Sequence, residues 1–380
     1  MRNKILVGDC RKTLQTVPAK SVHTCVTSPP YFGLRDYGHD SQIGLEETPQ
    51  EFVAELVKVL SEVHRVLRDD GTLWVNIGDS YNGSGSTGGK GIQQTNNGST
   101  SKPDKRGGYQ GLKQKDLIGI PWMLAFALRD WGWYLRQDII WSKPAPMPSS
   151  VRDRCTTSHE YVFLLSKSKS YFYDQYAISE ECVSRPQQRI TNTSQQPKGP
   201  EREVDGVQNP TCQGGTSSTR NKRSVWTVNT HGYKGAHFAV FPTKLIEPCI
   251  LAGSPEQCCS SCGMPYERKI EQTRVPTRPG TNSKVNRASA NDQSPYESNS
   301  GMIVGNRDPR RHITATKTIG FEPACECGVE PTRGTVLDPF AGSGTTAQVA
   351  QNNGRDWIMC EANSDYISMI ERRTEQPLLF

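Results

Sequence analysis

Two short stretches near opposite ends of the chain carry residue types that can do chemistry. The first is Cys25-Val26-Thr27-Ser28-Pro29-Pro30-Tyr31, a β-prone run that ends in two prolines. Pro29 and Pro30 have fixed φ and no amide hydrogen, so the turn is stiff and its carbonyls stand as bare acceptors. Ser28 adds a side-chain acceptor and Tyr31 a flat ring. An exocyclic NH₂ on a planar base needs that set. Acceptors orient the amine and draw its hydrogens aside, while the ring offers a surface for stacking. Ser-Pro-Pro taken alone is more often a plain turn.

The second stretch is Asp338-Pro339-Phe340-Ala341-Gly342-Ser343-Gly344-Thr345-Thr346, which follows a β-rich run and opens a helix. Glycines at 342 and 344 allow a sharp turn and close approach of a ligand to the backbone. A third glycine with dinucleotide spacing is missing and no Gly-Lys-Ser/Thr follows, so a pyrophosphate loop or P-loop is poorly supported. Glu361 ends the next predicted strand, 23 residues after Asp338. An acid there can accept both hydroxyls of a ribose, as in dinucleotide folds. Strand, glycine turn and strand-end acid together read as a nucleoside site.

A third constellation is made of cysteines. Cys259-Ser260-Ser261-Cys262-Gly263 is a CxxC knuckle followed by glycine, and 63 residues after Cys262 comes Cys325-Glu326-Cys327-Gly328. Four thiolates suit a closed tetrahedral zinc site, which would be structural because no position is left for water. Cys258 could replace Cys259, and an iron–sulfur centre or incidental free thiols are the other readings.

Elements that can position these residues follow from periodicity. Lys4–Val7, Val22–Thr27 and Thr72–Ile77 read as strands, and Glu51–Leu67 carries a helical apolar stripe closed by Asp69-Asp70-Gly71. Lys115–Gly132 reads as a helix, with Pro121 starting or kinking it. Tyr134–Trp141 and Tyr161–Leu165 are strand-like. After residue 331 come a strand (335–338), a helix (344–352), a strand (357–361) and a helix (364–373). Alternation of strand and helix predicts an α/β domain around a largely parallel sheet. Trp131, Trp133, Tyr134 and Trp141 read as core, and Cys249 as packed in a helix. Lys143 is balanced between phosphate contact and solvation, and His159 reads as structural. Phe32–Asp40 follows the turn, where Gly33 and Gly38 would let it close over a base.

With 380 residues the chain can bury a sizeable core without staples, and 12 Cys are too sparse for a disulfide scaffold. The N-terminus shows no secretory signal and no apolar run spans a bilayer, so a cytoplasmic protein without membrane contact is expected. The formal charge is +6. It is concentrated in residues 184–235, with eight Lys/Arg against three acids, and in 268–317, with ten against four. Basic loops of that kind suit a polyanion, although solvated loops are the plain alternative. Residues 83–111, with nine Gly, read as a loop.

The Thr-Ser-Pro-Pro-Tyr turn and the Asp-Pro-Phe-Ala-Gly-Ser-Gly-Thr-Thr loop, in that order, resemble the signature motifs of the circularly permuted beta class of S-adenosylmethionine-dependent DNA amino-methyltransferases. The resemblance covers about residues 1–82, 112–178, 236–255 and 332–373. It implies a Rossmann-like methyltransferase fold with a seven-stranded, mostly parallel sheet. It implies that Ser28, Pro29, Pro30 and Tyr31 hold a flipped base. Asp338, Phe340, Gly342 and Gly344 would line the pocket of S-adenosylmethionine, with Glu361 on its ribose. Asp9 resembles the early acid beside the cofactor, and Thr243 lies where a hydroxyl would meet the methionine end.

On this reading residues 1–178 are the catalytic part, 179–235 the target-recognition region and 236–255 the return to the cofactor site. Residues 256–331 form the zinc insert, with Cys259, Cys262, Cys325 and Cys327 as ligands, and 332–380 the cofactor-binding part. Double-stranded DNA is the expected partner, and the reading leaves open a homodimer and a cognate restriction endonuclease. Serine at the head of the turn resembles the cytosine-N4 subgroup more than the adenine-N6 one. Methylation at carbon 5 would require a Pro-Cys nucleophile motif, and the chain is read here as holding no Pro-Cys pair. Rival readings are an RNA or protein methyltransferase and a catalytically silent zinc-containing DNA-binding protein.

Overall fold

The computed structural model describes residues 2–36, 42–83, 93–94, 109, 111–181, 219–230, 241–276 and 312–375. The chain divides into two compact units. The larger comprises Met1–Ile178, Arg223–Glu267 and Phe321–Phe380, and the smaller Ser179–Lys222 and Arg268–Gly320. Most of the two basic stretches and of the glycine-rich 83–111 segment lies outside the described residues, as do residues 37–40 of the segment expected to close over a base.

The larger unit is built around an eight-stranded sheet. Its strands are β1 (Lys4–Val7), β2 (Val22–Thr27), β3 (Leu67–Ile77), β4 (Tyr134–Ser142), β5 (His159–Ser166), β6 (Val225–Thr227), β7 (Thr335–Asp338) and β8 (Asp356–Glu361). Their order across the sheet is β1-β8-β7-β2-β3-β5-β4-β6. Only β5 runs against the others, pairing antiparallel with β3 and β4. The expectation of a mostly parallel sheet holds, but its count of seven is corrected to eight. The eighth is the short edge strand β6, which pairs in parallel with β4 through Trp226 opposite Trp141. Three residues among polar neighbours give no periodicity to read.

Among the described residues six α-helices cover the faces: α1 (Cys10–Thr13), α2 (Pro49–Val66), α3 (Ile120–Trp131), α4 (Thr243–Gly253), α5 (Thr345–Asn352) and α6 (Ser364–Glu375). Side chains of α1, α2 and α3 share one core with Cys25, Leu337, Ile358 and Cys360. Those of α4, α5 and α6 share the other with Val26, Val336, Trp357 and Met359. Neighbouring residues of one strand thus feed opposite cores, as the period of two requires.

Local chemistry sets the helix ends. Thr48 and Glu51 form a capping box at the start of α2, with Pro49 in its first turn. That helix stops at Val66 and β3 begins at once, so Asp69-Asp70-Gly71 lies inside the strand and is not the expected turn. A register shift between Val22 and Thr24 on β2 absorbs the irregularity. Helix α3 starts at Ile120, five residues after its predicted start, with Pro121 in its first turn. Asp79 accepts hydrogen bonds from the Gly119 and Ile120 amides there.

The aromatic group divides. Trp133 and Trp141 are buried, whereas Trp131 and Tyr134 are 45% and 46% exposed, against the expectation that all four are core. Trp131 is the last residue of α3 and Tyr134 the first of β4, and at both positions one side faces away from the core. Among the described residues no helix is long and apolar enough to cross a membrane.

Candidate active site and cysteine cluster

Strands β2 and β7 are parallel neighbours, with Thr24 opposite Val336 and Cys25 opposite Leu337. Their carboxyl ends therefore deliver the Ser28–Tyr31 turn and the Asp338–Gly344 loop side by side. β7 also pairs in parallel with β8, and β8 with β1, which puts Glu361 and the Gly8-Asp9 corner on the same edge. Ligands of open α/β sheets bind at that edge, where chain connectivity changes direction.

A buried hydrogen-bond brace joins the two motifs. Thr27 Oγ1 donates to Asp338 Oδ1 at 2.6 Å, Thr346 Oγ1 donates to Oδ2 at 2.7 Å, and the Phe340 amide donates to Oδ1 at 3.0 Å. Burial pushes the Asp338 carboxyl up to about 6 even though Thr27, Thr346 and Phe340 favour its charged form. Asp338 thus shapes the loop from behind.

Gly342 and Gly344 both take positive φ, +54° and +83°. A Cβ on Gly344 would stand 3.0 Å from Ile370 Cα in α6, so the loop can close onto that helix only with glycine here. A Cβ on Gly342 would meet nothing within 4 Å, so open space lies in front of the loop. Ser343 Oγ is buried and, among the described residues, has no hydrogen-bond partner. Open space beside an orphaned polar atom fits a pocket for a polar ligand.

Glu361 accepts from the Gly342 amide at 2.7 Å through Oε2 and from the Asn363 amide at 2.8 Å through Oε1. A carboxylate has about four acceptor positions, so these amides leave room for a ligand hydroxyl. Burial pushes Glu361 up to about 7, against the pull of the Asn363 and Gly342 amides. Asp9 caps α1 and accepts from the Arg11 amide at 2.9 Å and its guanidinium at 2.8 Å. Burial alone would raise Asp9, yet the Arg11 bonds and charge hold it below the usual carboxylate range. Thr243 is exposed as the first residue of α4 and, among the described residues, shares no hydrogen bond with the turn or the glycine loop.

Sequence reading passed over Glu160. It sits near the start of β5, next to β3 and β4, and collects three donors. Tyr31 Oη donates to its Oε2 at 2.6 Å, Asn76 Nδ2 to the same oxygen at 3.2 Å, and Lys143 Nζ pairs with Oε1. Lys143 Nζ also lies 4.4 Å from the centre of the Trp141 ring. Burial, and then the Glu160 charge, push the Tyr31 phenol well up, so it stays a proton donor. His159 is exposed and meets Tyr161 edge-on. No local motif marks Glu160, because its partners are 129, 84 and 17 residues away.

The chain does hold a Pro-Cys pair, Pro248-Cys249. Both residues lie inside α4, and Cys249 is buried with its Sγ 3.8 Å from Leu245 O, so no thiol is offered as a nucleophile.

The four cysteines converge. Sγ atoms of Cys259, Cys262, Cys325 and Cys327 all lie within 4.8 Å of one another. Thiolates around zinc at about 2.3 Å would be about 3.8 Å apart, so a small inward shift closes a tetrahedron. Backbone amides of Cys262 and Ser261 hold the Cys259 thiol low, at about 6, and the Cys262 amide lies 3.4 Å from its sulfur. Gly263 and Gly328 follow their knuckles with φ of +70° and +63°. Cys258, the alternative to Cys259, turns away to Thr332 O and Arg333 O, both at 3.4 Å, and burial pushes it up to about 11.

The first knuckle is tied to the large sheet. Arg68 Nη1 donates to Cys262 O at 2.6 Å. His23 on β2 lies 3.0 Å from Gly263 O through Nε2, and its Nδ1 accepts from the Thr335 amide at 3.0 Å. Burial lowers His23 to about 4, so the ring is neutral with its proton on Nε2.

Comparisons with known proteins agree with this geometry. The sequence profile of the N6/N4 methyltransferase family, described as DNA methylase, matches residues 22–258 and 316–372. The chain is 38% identical over 370 residues to the Type II methyltransferase M.Cfr9I of Citrobacter freundii, covering 97% of this chain and 86% of that one. It is 36% identical over 379 residues to the Type II methyltransferase M.SmaI of Serratia marcescens, covering 97% and 90%. Among solved structures, PvuII DNA methyltransferase (cytosine-N4-specific) superposes with a TM-score of 0.53 at 15% identity, covering 100% of this chain and 89% of that one. That last likeness speaks for the α/β methyltransferase fold alone. Profile, relatives and the paired motifs at one sheet edge lead to one conclusion: the chain belongs to the N6/N4 DNA methylase family and is a DNA amino-methyltransferase.

Proposed function

We propose that this protein is a Type II modification enzyme that methylates the N4 amine of a cytosine turned out of double-stranded DNA, using S-adenosylmethionine. The observation that carries the reading is the Thr27–Asp338 hydrogen bond at 2.6 Å, which ties the acceptor turn to the glycine loop. The bound cofactor supplies an electrophilic sulfonium methyl. The chain's own residues do the rest. Ser28 and the Pro29 carbonyl accept the amine's hydrogens and localise its lone pair, a preference that grows as the N–C bond forms. Tyr31 stacks on the base and Pro30 stiffens the turn. Asp338, Phe340, Gly342 and Gly344 shape the cofactor pocket, Glu361 accepts the ribose hydroxyls, and Asp9 and Thr243 serve its flanks.

Extruding the base costs a few kcal/mol, which phosphate contacts from basic loops offset. Residues 179–235 read as the target-recognition region. Cys259, Cys262, Cys325 and Cys327 hold a structural zinc, which adds cross-linking and no reactive position. The Type II relatives suggest a cognate restriction endonuclease as the biological counterpart.

Serine at the head of the turn favours cytosine N4, and adenine N6 is the second reading. Nucleoside mass spectrometry of duplex DNA methylated by the protein separates them. N4-methylcytosine is expected; N6-methyladenine alone transfers the assignment to the second reading. Methylation of RNA or peptide but not of DNA would sink the proposal.

A further inference from the structure

Glu160 accepts the phenol of Tyr31 in the acceptor turn, and none of the roles above uses it. Its carboxylate lies at the meeting point of three segments: the catalytic turn through Tyr31, β3 through Asn76, and the exit of β4 through Lys143. Glu160 and Lys143 side chains are only 15% and 20% exposed, so their pairing is shielded and not a loose surface contact. Asn76 is doubly committed, since its Nδ2 also donates to Tyr161 O at 3.0 Å. Each donor is therefore held by a second interaction or by the sheet itself, and the carboxylate has little freedom to turn.

What this clamp holds is the Tyr31 ring. A tyrosine side chain has two torsions: holding the phenol oxygen sets the direction of the ring axis, while the ring plane turns about that axis without moving the oxygen and needs a restraint on the ring edge. Contact on the ring edge adds a second restraint. A Cβ built on Gly78 would fall 2.8 Å from Tyr31 Cε2 and 3.4 Å from the Glu160 carboxyl carbon, so ring, carboxylate and the backbone after β3 fill one small space. Tyr31 stays protonated and Glu160 accepts, so the bond has one polarity. Lys143 neutralises the carboxylate, which otherwise would be an unpaired charge beside an aromatic surface.

We propose that Glu160 is a positioning residue that, braced by Lys143 and Asn76, locks the Tyr31 ring in the orientation that receives the target base. This rests on the stacking role given to Tyr31 above. Glu160 does not touch the reacting atoms; it acts through the phenol. Its effect belongs to the step in which the bound base is held for attack, since misplacement of a reacting group costs rate even when binding is retained.

The test measures single-turnover methyl transfer, together with DNA and cofactor dissociation constants, on the full chain. Glu160→Ala is expected to slow methyl transfer by about ten- to thirtyfold while both constants stay within about threefold, the pattern of lost transition-state positioning. Glu160→Gln, which keeps an acceptor oxygen for the phenol, is expected to recover at least about threefold over Glu160→Ala. Tyr31→Phe removes the hydroxyl and keeps the ring. In that background Glu160→Ala should add less than about threefold, because the two residues act as one unit.

Glu160→Ala within threefold of the parent overturns the proposal, and so does a full, additive loss in the Tyr31→Phe background. If Glu160→Ala does not fold, the Gln and Phe variants decide alone: a Tyr31→Phe rate equal to the parent's overturns it. Tyr31→Ala, run alongside, keeps the underlying reading separate. A large loss there with a silent Glu160→Ala sinks only the clamp, whereas a silent Tyr31→Ala sinks the stacking role itself.

Discussion

Thr27→Val tests the brace that joins the two halves of the site. Valine keeps the shape and burial of threonine on β2 but removes the hydroxyl that donates to Asp338 Oδ1 at 2.6 Å. Asp338 is 1% exposed, so water cannot replace the lost donor. A hydrogen bond to an ionised group contributes roughly 1.5–3 kcal/mol, and one between neutral groups roughly 0.5–1.5 kcal/mol. The penalty therefore depends on pH. Asp338 has its folded pKa raised from 3.8 to about 6, so its contribution to stability is present below the ordinary value and lost as pH rises through about 6. At pH 5 the carboxyl is mostly protonated in the fold, and the variant loses a neutral bond. At pH 8 it is ionised, and the variant strands a buried charge with one donor fewer.

Thermal and urea unfolding at the two pH values should thus give a Thr27→Val cost near 1 kcal/mol at pH 5 and near 2 kcal/mol at pH 8, about 2–8 °C in Tm for a unit of this size. Cofactor affinity, read by calorimetry, should fall by about tenfold at pH 8, because the Phe340 amide shares Oδ1 with Thr27. Equal penalties at both pH values, or a cost below about 0.5 kcal/mol at pH 8, would refute the reasoning.

Three further outcomes are expected. Glu361→Gln should weaken cofactor binding by about ten- to a hundredfold. In the parent, affinity should rise with pH and level off above about 7, since ligand hydroxyls favour the ionised Glu361; the Gln variant should lose that slope, and a slope unchanged in Gln speaks against Glu361 as the ribose acceptor. Ser28→Ala and Tyr31→Ala should each lower turnover by more than about tenfold with DNA binding retained, and rates within threefold of the parent in both would defeat the catalytic assignment. Carefully reduced protein should contain about one zinc per chain. Chelation should lower Tm, because Cys262 and Gly263 carry the acceptors for Arg68 and His23 on the sheet; a zinc content below about 0.2 per chain, or a Tm indifferent to chelation, removes the metal.

The sequence was most legible where chemistry and local structure coincide. Ser28–Tyr31 and Asp338–Gly344 are contiguous motifs, and their prolines and glycines fix the backbone whatever surrounds them. The cysteine pairs stand out as knuckles for the same reason, although only the fold shows Cys259, and not Cys258, gathered with the other three sulfurs. Helix and strand assignments held where periodicity ran for several turns, as in α2, and slipped where it did not, as at Asp69-Asp70-Gly71 and at the three-residue strand β6.

What the amino-acid order determined by itself was therefore the inventory: a stiff acceptor turn, a glycine loop with a strand-end acid, and four thiols in two knuckles. Only tertiary structure decided their company. Thr27 meets Asp338 across 311 residues, Tyr31 meets Glu160 across 129, and His23 meets Gly263 across 240. Such partners are chosen by which strands lie side by side. That order follows from how helices cover both faces of the sheet, which no local spacing of residues encodes.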